Sequence, residues 1–479
     1  MSEIYFMNTR LFHQILSESF PYELTDSQQL LLQQLSDFVF SDQKSIFLLK
    51  GYAGTGKTTV ISTLVKNLWK IKRKFTLLAP TGRAAKVVSG YAQSPASTIH
   101  RHLYYVKTNA LGKLQFTLRT CKQRQTVFIV DEASMIGNQN SNESIFNNSS
   151  LLSDLINYVY THPSNKLILV GDTAQLPPVG TNISPALDKD YLIRHFDLPV
   201  VDFELKQVVR QSLDSGILFN ATKIRTEILQ DNPDPVKLNT TGFDDFVRIE
   251  SAYDLQDAIE SAYAGENFEE TAIIVRSNKR ANLYNQQIRN KVLLREHELD
   301  AGDYLMVVKN NYFWLSENSR AGFIANGDIV EVLEIFRFTD LYGFRFAEVK
   351  LRMADYPNEP PFESIIMLDT LYMDTPSLPY DKNNELYQAV NEDYMHLKTK
   401  WQRYKKVKEN KYFNALQVKF AYALTAHKSQ GGQWKNVFVE QPYRFEAGNK
   451  EHLRWLYTAF TRAQNKLYLI GFSSDLFLD

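Results

Sequence analysis

The sequence is poorest in cysteine. Cys121 stands alone, which excludes an internal disulfide and any cysteine-rich zinc or iron–sulfur site. Net charge is absent too: 54 Lys and Arg face 54 Asp and Glu, so any nucleic-acid surface must come from local clustering of cations. No apolar run approaches the ~18–20 residues of a membrane helix. The opening stretch mixes Glu3, Arg10, His13 and Glu18 among its apolar residues, unlike a signal peptide. No repeat of fixed period runs along the chain. These absences exclude a disulfide scaffold, a repeat array and a helical membrane protein, and predict a cytoplasmic chain with no membrane partner. What remains is ordinary globular composition, 44% hydrophobic over 479 residues, enough for roughly three domains or subdomains of about 150 residues.

Short apolar runs bounded by Gly, Pro or polar residues read as buried parallel strands. Four lie in the front half, Ser45–Lys50, Phe75–Ala79, Val127–Val130 and Leu167–Val170, with helical stretches such as Asp26–Phe40 and Lys57–Trp69 between or beside them. A second set follows at Ala272–Val275, Val418–Leu424, Asn436–Glu440 and Lys466–Ile470. The alternation predicts two doubly wound α/β domains with ligands at the strand C-termini. An insert from Gly302 to Phe413 differs in texture: short β-rich runs around the Asn326-Gly327-Asp328 turn suit a small barrel, and Asn384–Tyr404 reads as one helix ending in basic residues.

The strongest motif is Gly51-Tyr-Ala-Gly-Thr-Gly-Lys57-Thr58, between a strand and a helix. In this pattern the glycines let backbone N–H groups wrap phosphates, so Gly51, Ala53, Gly54, Thr55 and Gly56 form the nucleotide-binding loop, with Lys57 reaching the β- and γ-phosphates. Thr58 offers a hydroxyl to Mg²⁺, with Thr59 behind it. Asp131 ends the Val127–Val130 run, where it suits the same Mg²⁺, and Glu132 beside it suits a base or orienter for attacking water. Gln175 follows Gly171-Asp172 and suits an amide that senses the γ-phosphate. Arg210 and Arg462, from the second α/β domain, suit fingers that stabilise charge on nucleotide held by the first.

Taken in order, GYAGTGKTT, APTGRAAK, STIHR, VDEASM, GDTAQLPPVG, VVRQ, TAHKSQGGQ and YTAFTRA resemble the motif series of the superfamily 1B helicases, most like the RecD/Dda branch, with the Pif branch next. The resemblance implies two RecA-like P-loop domains with parallel sheets, a small β-hairpin wedge in the first and an SH3-like barrel in the second. The implied division is 1–200 for the first domain, with the hairpin at about 101–124. The second takes 201–301 and 414–479, and the insert takes 302–413. The implied activity is 5′→3′ movement along single-stranded DNA, powered by ATP and Mg²⁺, with separation of duplex at single-strand/double-strand junctions. It implies a monomeric bare motor, without an N-terminal extension or C-terminal partner domain, serving replication, repair or recombination proteins.

Carried over residue by residue, Gln28 would read adenine, although Thr25-Asp-Ser-Gln28 is also a helix capping box. Gln430 and Gly431 would join the nucleotide site at the domain interface. Strand contacts would come from Thr81, Arg83 and His100 in the first domain, Thr425, His427 and Lys428 in the second, and Lys309 and Asn310 at the barrel. A basic run, Lys398 to Lys408 with Trp401 and Tyr404 interleaved, offers further phosphate and stacking contacts. Two rival readings stay open on the sequence: an RNA-directed motor of the same superfamily, and a nucleotide-gated strand-binding module that does not unwind.

Overall fold

The computed structural model describes residues 8–108, 114–137, 150–209, 214–263, 268–315, 319, 323–356, 359–443 and 448–478. The first sheet is six-stranded and parallel: β1 (Ile46–Gly51), β2 (Lys74–Ala79), β3 (Ala96–Thr98), β6 (Thr126–Val130), β7 (Lys166–Gly171) and β8 (Val200–Leu205), in the order β3-β2-β6-β7-β1-β8. Along β1, Phe47 and Leu49 enter one apolar cluster while Ile46 and Leu48 enter another on the opposite face. Both faces are therefore covered, which is why its strands read as unbroken apolar runs.

A hairpin of β4 (Tyr104–Thr108) and β5 (Leu114–Leu118) stands apart from this sheet, in the register Tyr104 to Leu118 and Thr108 to Leu114. Its base is anchored by the Tyr104 hydroxyl, which donates to Asp154 at 2.6 Å. The expected wedge tip lies outside the described residues, as does most of the Asn/Ser-rich stretch after Gly137.

The second sheet is parallel and five-stranded, in the order β16-β10-β17-β18-β9: β9 (Phe246–Ile249), β10 (Thr271–Val275), β16 (Ala423–Thr425), β17 (Trp434–Glu440) and β18 (Ala463–Ile470). Between β10 and β16 the chain builds a closed barrel of β11 (Tyr304–Val307), β12 (Ile329–Leu341), β13 (Phe344–Met353), β14 (Phe362–Met367) and β15 (Leu416–Phe420). The fold class is the one implied by the sequence. A pair of helices, Tyr380–Glu392 and Lys400–Glu409, packs Leu386, Val390 and Val407 on the barrel's Phe346 and Met367.

Three boundaries differ from the sequence reading. Residues 201–205 belong to the first sheet, because β8 pairs in parallel with β1 from Val200 to Leu205, so the first domain runs past 200. The Val418–Leu424 run divides: Leu416–Phe420 closes the barrel, and Ala423–Thr425 alone returns to the second sheet, so the barrel extends past 413. The expected Asn384–Tyr404 helix is two helices separated by residues 393–399.

The barrel and the second domain share a core. Ile273 and Val275 of β10 cluster with Leu305, Val330, Val349 and Val418 of the barrel. At the entry to the barrel, fully buried Asp303 takes two hydrogen bonds from Arg289, at 2.9 and 3.0 Å, and pairs with Arg295 at 2.8 Å. The barrel meets the first domain differently, through a polar seam. Lys86 donates to the Ala354 carbonyl at 3.1 Å and lies 3.8 Å from Asp355, and the Arg101 guanidinium stands 5.7 Å from the Tyr356 ring centre. Asp328 Oδ1 lies so close to Gly82 that a Cβ there would collide with it.

Candidate active site

Strand β1 delivers the chain to a loop whose glycines take backbone angles other residues avoid, φ +73° at Gly54 and +87° at Gly56. Helix Lys57–Asn67 starts immediately behind and points its unpaired N–H groups at the loop. Lys57 Nζ donates to the carbonyls of Gly51 at 2.6 Å and Tyr52 at 2.8 Å. A cavity of about 720 Å³ opens over this loop. Ala53, Gly54, Gly56, Lys57, Thr58, Thr59, Asp131, Glu132 and Gln175 line it from the first domain, and Gly431, Gln433, Thr461 and Arg462 from the second. Thr55 is not among the lining residues; its hydroxyl ties the loop from within, donating to the Tyr52 carbonyl at 2.8 Å.

Asp131 accepts from the Tyr91 hydroxyl at 2.6 Å and from the Glu132 N–H at 2.8 Å. Burial, then the neighbouring Glu132, raises its pKa; the two hydrogen bonds and Lys57 oppose the shift. A carboxylate held this way, with Thr58 facing the same cavity, suits a divalent cation that brings its remaining oxygens from nucleotide and water. Glu132 sits at φ +52°, a left-handed conformation rare outside glycine, which turns its side chain back toward the cleft. Its Oε1 lies 3.7 Å from Arg462.

Arg462 is almost completely buried, and its Nε donates to the Thr458 carbonyl at 3.1 Å. Gln175 is also buried, and its amide oxygen has no hydrogen-bond partner among the described residues. Arg210 lies outside the described residues, although Val209 next to it donates its N–H to the Gly54 carbonyl at 3.1 Å.

Gln28 spends its amide on the protein. Its Oε1 accepts from the Thr25 N–H at 3.1 Å, completing the capping box, and its Nε2 donates to the Thr55 carbonyl at 3.2 Å. One lone pair and one N–H remain, and Gln28 lines a side cavity of about 340 Å³ together with Phe20, Tyr22 and Gln207. Gln430 departs from the nucleotide assignment. It does not line the cleft, and its amide donates instead to the Leu176 carbonyl at 2.6 Å, a strut between the domains.

The expected strand contacts fall into two groups. Thr81 caps helix Gly82–Ala92, accepting from the Ala84 N–H at 3.2 Å, and Arg83 lies 4.7 Å from the Trp434 ring centre of the second domain. A Cβ on Gly431 would come within 2.7 Å of Ala84, so the two domains' loops touch through a bare glycine backbone. Thr425 precedes the short helix Ala426–Ser429 that carries His427 and Lys428. His427 is exposed, while burial and then Lys419 bring Lys428 down to about 8.

The second group lies outside these two loops. His100 is half-buried beside Tyr104, and burial holds its pKa down to about 4. Asn310 accepts from the Asn326 N–H at 2.7 Å and so clamps the barrel turn, whereas Lys309 is exposed. In the basic run, Lys405 and Lys406 both pair with Glu409.

Sequence reasoning missed Tyr457 and Asp172, which join the two domains at the floor of the cleft. The Tyr457 hydroxyl accepts from the Ala53 N–H at 2.8 Å and donates to Asp172 Oδ2 at 2.7 Å. A tyrosine within an apolar helical stretch carries no local signal of a polar partner 285 residues away.

Comparison with known proteins divides along the same lines as the fold. An AAA domain family model matches residues 23–228, and a UvrD-like helicase C-terminal domain model matches 420–470. A protein of Acanthamoeba polyphaga mimivirus is 24% identical, over 92% of this chain and 98% of its own. The ATP-dependent RecD2 DNA helicase of Deinococcus radiodurans is 30% identical over 164 residues, 33% of this chain and 19% of that protein. A crystal structure of Pif1 helicase from Bacteroides in complex with ADP-AlF3 and single-stranded DNA covers 96% of this chain and 95% of its own, at 15% identity and a TM-score of 0.48. With its motifs in order along the chain and these two models falling on its two α/β domains, the chain is similar to the superfamily 1B helicases.

Proposed function

We propose that this ATP-hydrolysing DNA helicase moves 5′→3′ along single-stranded DNA and separates duplex at junctions, each step driven by closure of the cleft between its two RecA-like domains. The observation that carries the reading is the convergence on one cavity of Lys57, Asp131 and Glu132 from the first domain and Arg462 from the second. When ATP enters, Lys57 exchanges the Gly51 and Tyr52 carbonyls for phosphate oxygens. Thr58 and Asp131 would hold Mg²⁺, which neutralises charge on the β- and γ-phosphates. Glu132, turned into the cleft by its backbone, orients the attacking water, and the unpartnered oxygen of Gln175 accepts a hydrogen bond from the same region. Arg462 places its guanidinium against the developing charge, a contribution on the order of 10³–10⁵ in rate for such fingers. Because Arg462 belongs to the second domain, hydrolysis and domain closure are one event. Thr81 and Arg83 on one side, and Thr425, His427 and Lys428 on the other, then grip the strand alternately.

Strand displacement with purified protein and ATP tests the direction, using one duplex with a 5′ tail and one with a 3′ tail. Unwinding from the 5′ tail alone is expected. Unwinding from the 3′ tail alone refutes the direction and its coupling of grip to closure.

A further inference from the structure

We propose that Tyr457 is a positioning residue of the hydrolytic cycle, its phenol fastening the phosphate loop and the Gly171–Leu176 segment to the helix that leads to Arg462. The inference rests on the reading of the cleft as an ATPase site.

Tyr457 is 1% exposed and lies on helix Lys450–Phe460 of the second domain. Its hydroxyl accepts the Ala53 N–H and donates to Asp172 Oδ2; the other oxygen of Asp172 accepts from the Ala174 N–H at 2.9 Å. The next residue continues the junction. Thr458 Oγ accepts from the Leu176 N–H at 2.8 Å, while its carbonyl takes the Arg462 Nε. The position of the guanidinium is thus fixed through the same helical turn that holds the phosphate loop.

The chain of bonds has a direction. A phenol has one proton to give, and both oxygens of Asp172 accept. Burial beside Asp172 raises the phenol pKa well above its ordinary value, so it keeps that proton. Asparagine at 172 cannot reproduce the arrangement, because one of its two heads is a donor and would face either the Ala174 N–H or a phenol left without an acceptor. Loss of the phenol oxygen and loss of the second carboxylate oxygen therefore break the same link.

The test compares wild type, Tyr457→Phe, Asp172→Asn and the double variant in steady-state ATPase with single-stranded DNA, in binding of a fluorescent ADP analogue, and in thermal unfolding. Tyr457→Phe is expected to bind ADP, and to show a KM for ATP, within about threefold of wild type, while its DNA-stimulated kcat falls by about tenfold or more. Asp172→Asn is expected to fall similarly, and the double variant no further than the worse single one. A Tyr457→Phe protein with a lowered melting temperature but wild-type kcat per folded molecule overturns the inference, and so do losses that add in the double variant. Those results leave the ATPase reading standing; a wild-type protein with no DNA-stimulated turnover overturns both.

Discussion

Replacing Asp328 by Asn should stabilise the protein, by an amount that grows with pH. Asp328 is 1% exposed, its Oδ2 accepts from the Ala325 N–H at 2.7 Å, and its Oδ1 has no hydrogen-bond partner among the described residues. The groups around it are Asp355, Tyr356, Glu359 and Arg101, with Lys86 beyond Asp355. Burial drives its pKa up to about 8; the Ala325 hydrogen bond and Arg101 pull against this, and Asp355 adds to it. A raised acid binds its proton more tightly when folded, so the stability it confers is whole below about pH 4 and is lost as pH climbs toward 8. Each pH unit in that window costs about 1.4 kcal/mol, or about 3 kcal/mol between pH 5 and pH 7. Asparagine is neutral throughout and still accepts from Ala325. The melting temperatures of wild type and Asp328→Asn should therefore nearly coincide at pH 4. By pH 8 they should separate by on the order of 5 °C, the variant higher. A gap of constant size across that range would refute the reasoning.

Lys57→Ala should abolish ATP turnover with the melting temperature unchanged within about 1 °C; full turnover would remove Lys57 from the site. Arg462→Lys keeps the charge but not the planar fork, and should lose at least about tenfold in kcat. Gly56→Ala must hold an L-residue at φ +87° and place a Cβ 2.5 Å from Gln28 Nε2, so fluorescent ADP should bind about tenfold more weakly or worse. His100, held near a pKa of about 4, stays neutral from pH 8 to pH 6. Wild type and His100→Gln should accordingly show the same pH slope of single-strand affinity over that range by fluorescence anisotropy.

The legible parts of this molecule were those where chemistry and burial leave a local mark. Central strands such as Val127–Val130 and the loop from Gly51 to Thr58 are apolar runs and glycines at fixed spacing, each visible without its neighbours. Strand β8 was missed because Val200–Leu205 is only half-buried at a sheet edge and carries Asp202 and Glu204. The run from Val418 to Leu424 hid the passage from barrel to sheet, since both of its strands are buried and only the Ala421-Tyr422 step parts them. Gln430 and Asn310 carry motif-like residue types, yet their hydrogen bonds go to Leu176 and Asn326, pairings that depend on the folded arrangement. Tyr457 failed for the opposite reason: its sequence surroundings suggest core, and its partners arrive from another domain.

The buried pair of guanidiniums on Asp303, together with the apolar core common to β10 and the barrel, makes the barrel and the second domain one piece. Undoing that junction would strand a charge in the interior at a cost of about 3–5 kcal/mol, more than a domain shift can supply casually. The seam between Lys86 and Arg101 of the first domain and Asp328 and Asp355 beside the barrel has no such pair of guanidiniums on one carboxylate among the described residues. Any narrowing of the nucleotide cleft must then be taken up as slip at that seam, with the barrel as the long arm of a lever whose short arm carries Arg462. A displacement of ångströms at the phosphates would be read out, enlarged, where the barrel rests beside the first domain's Thr81–Arg83 loop.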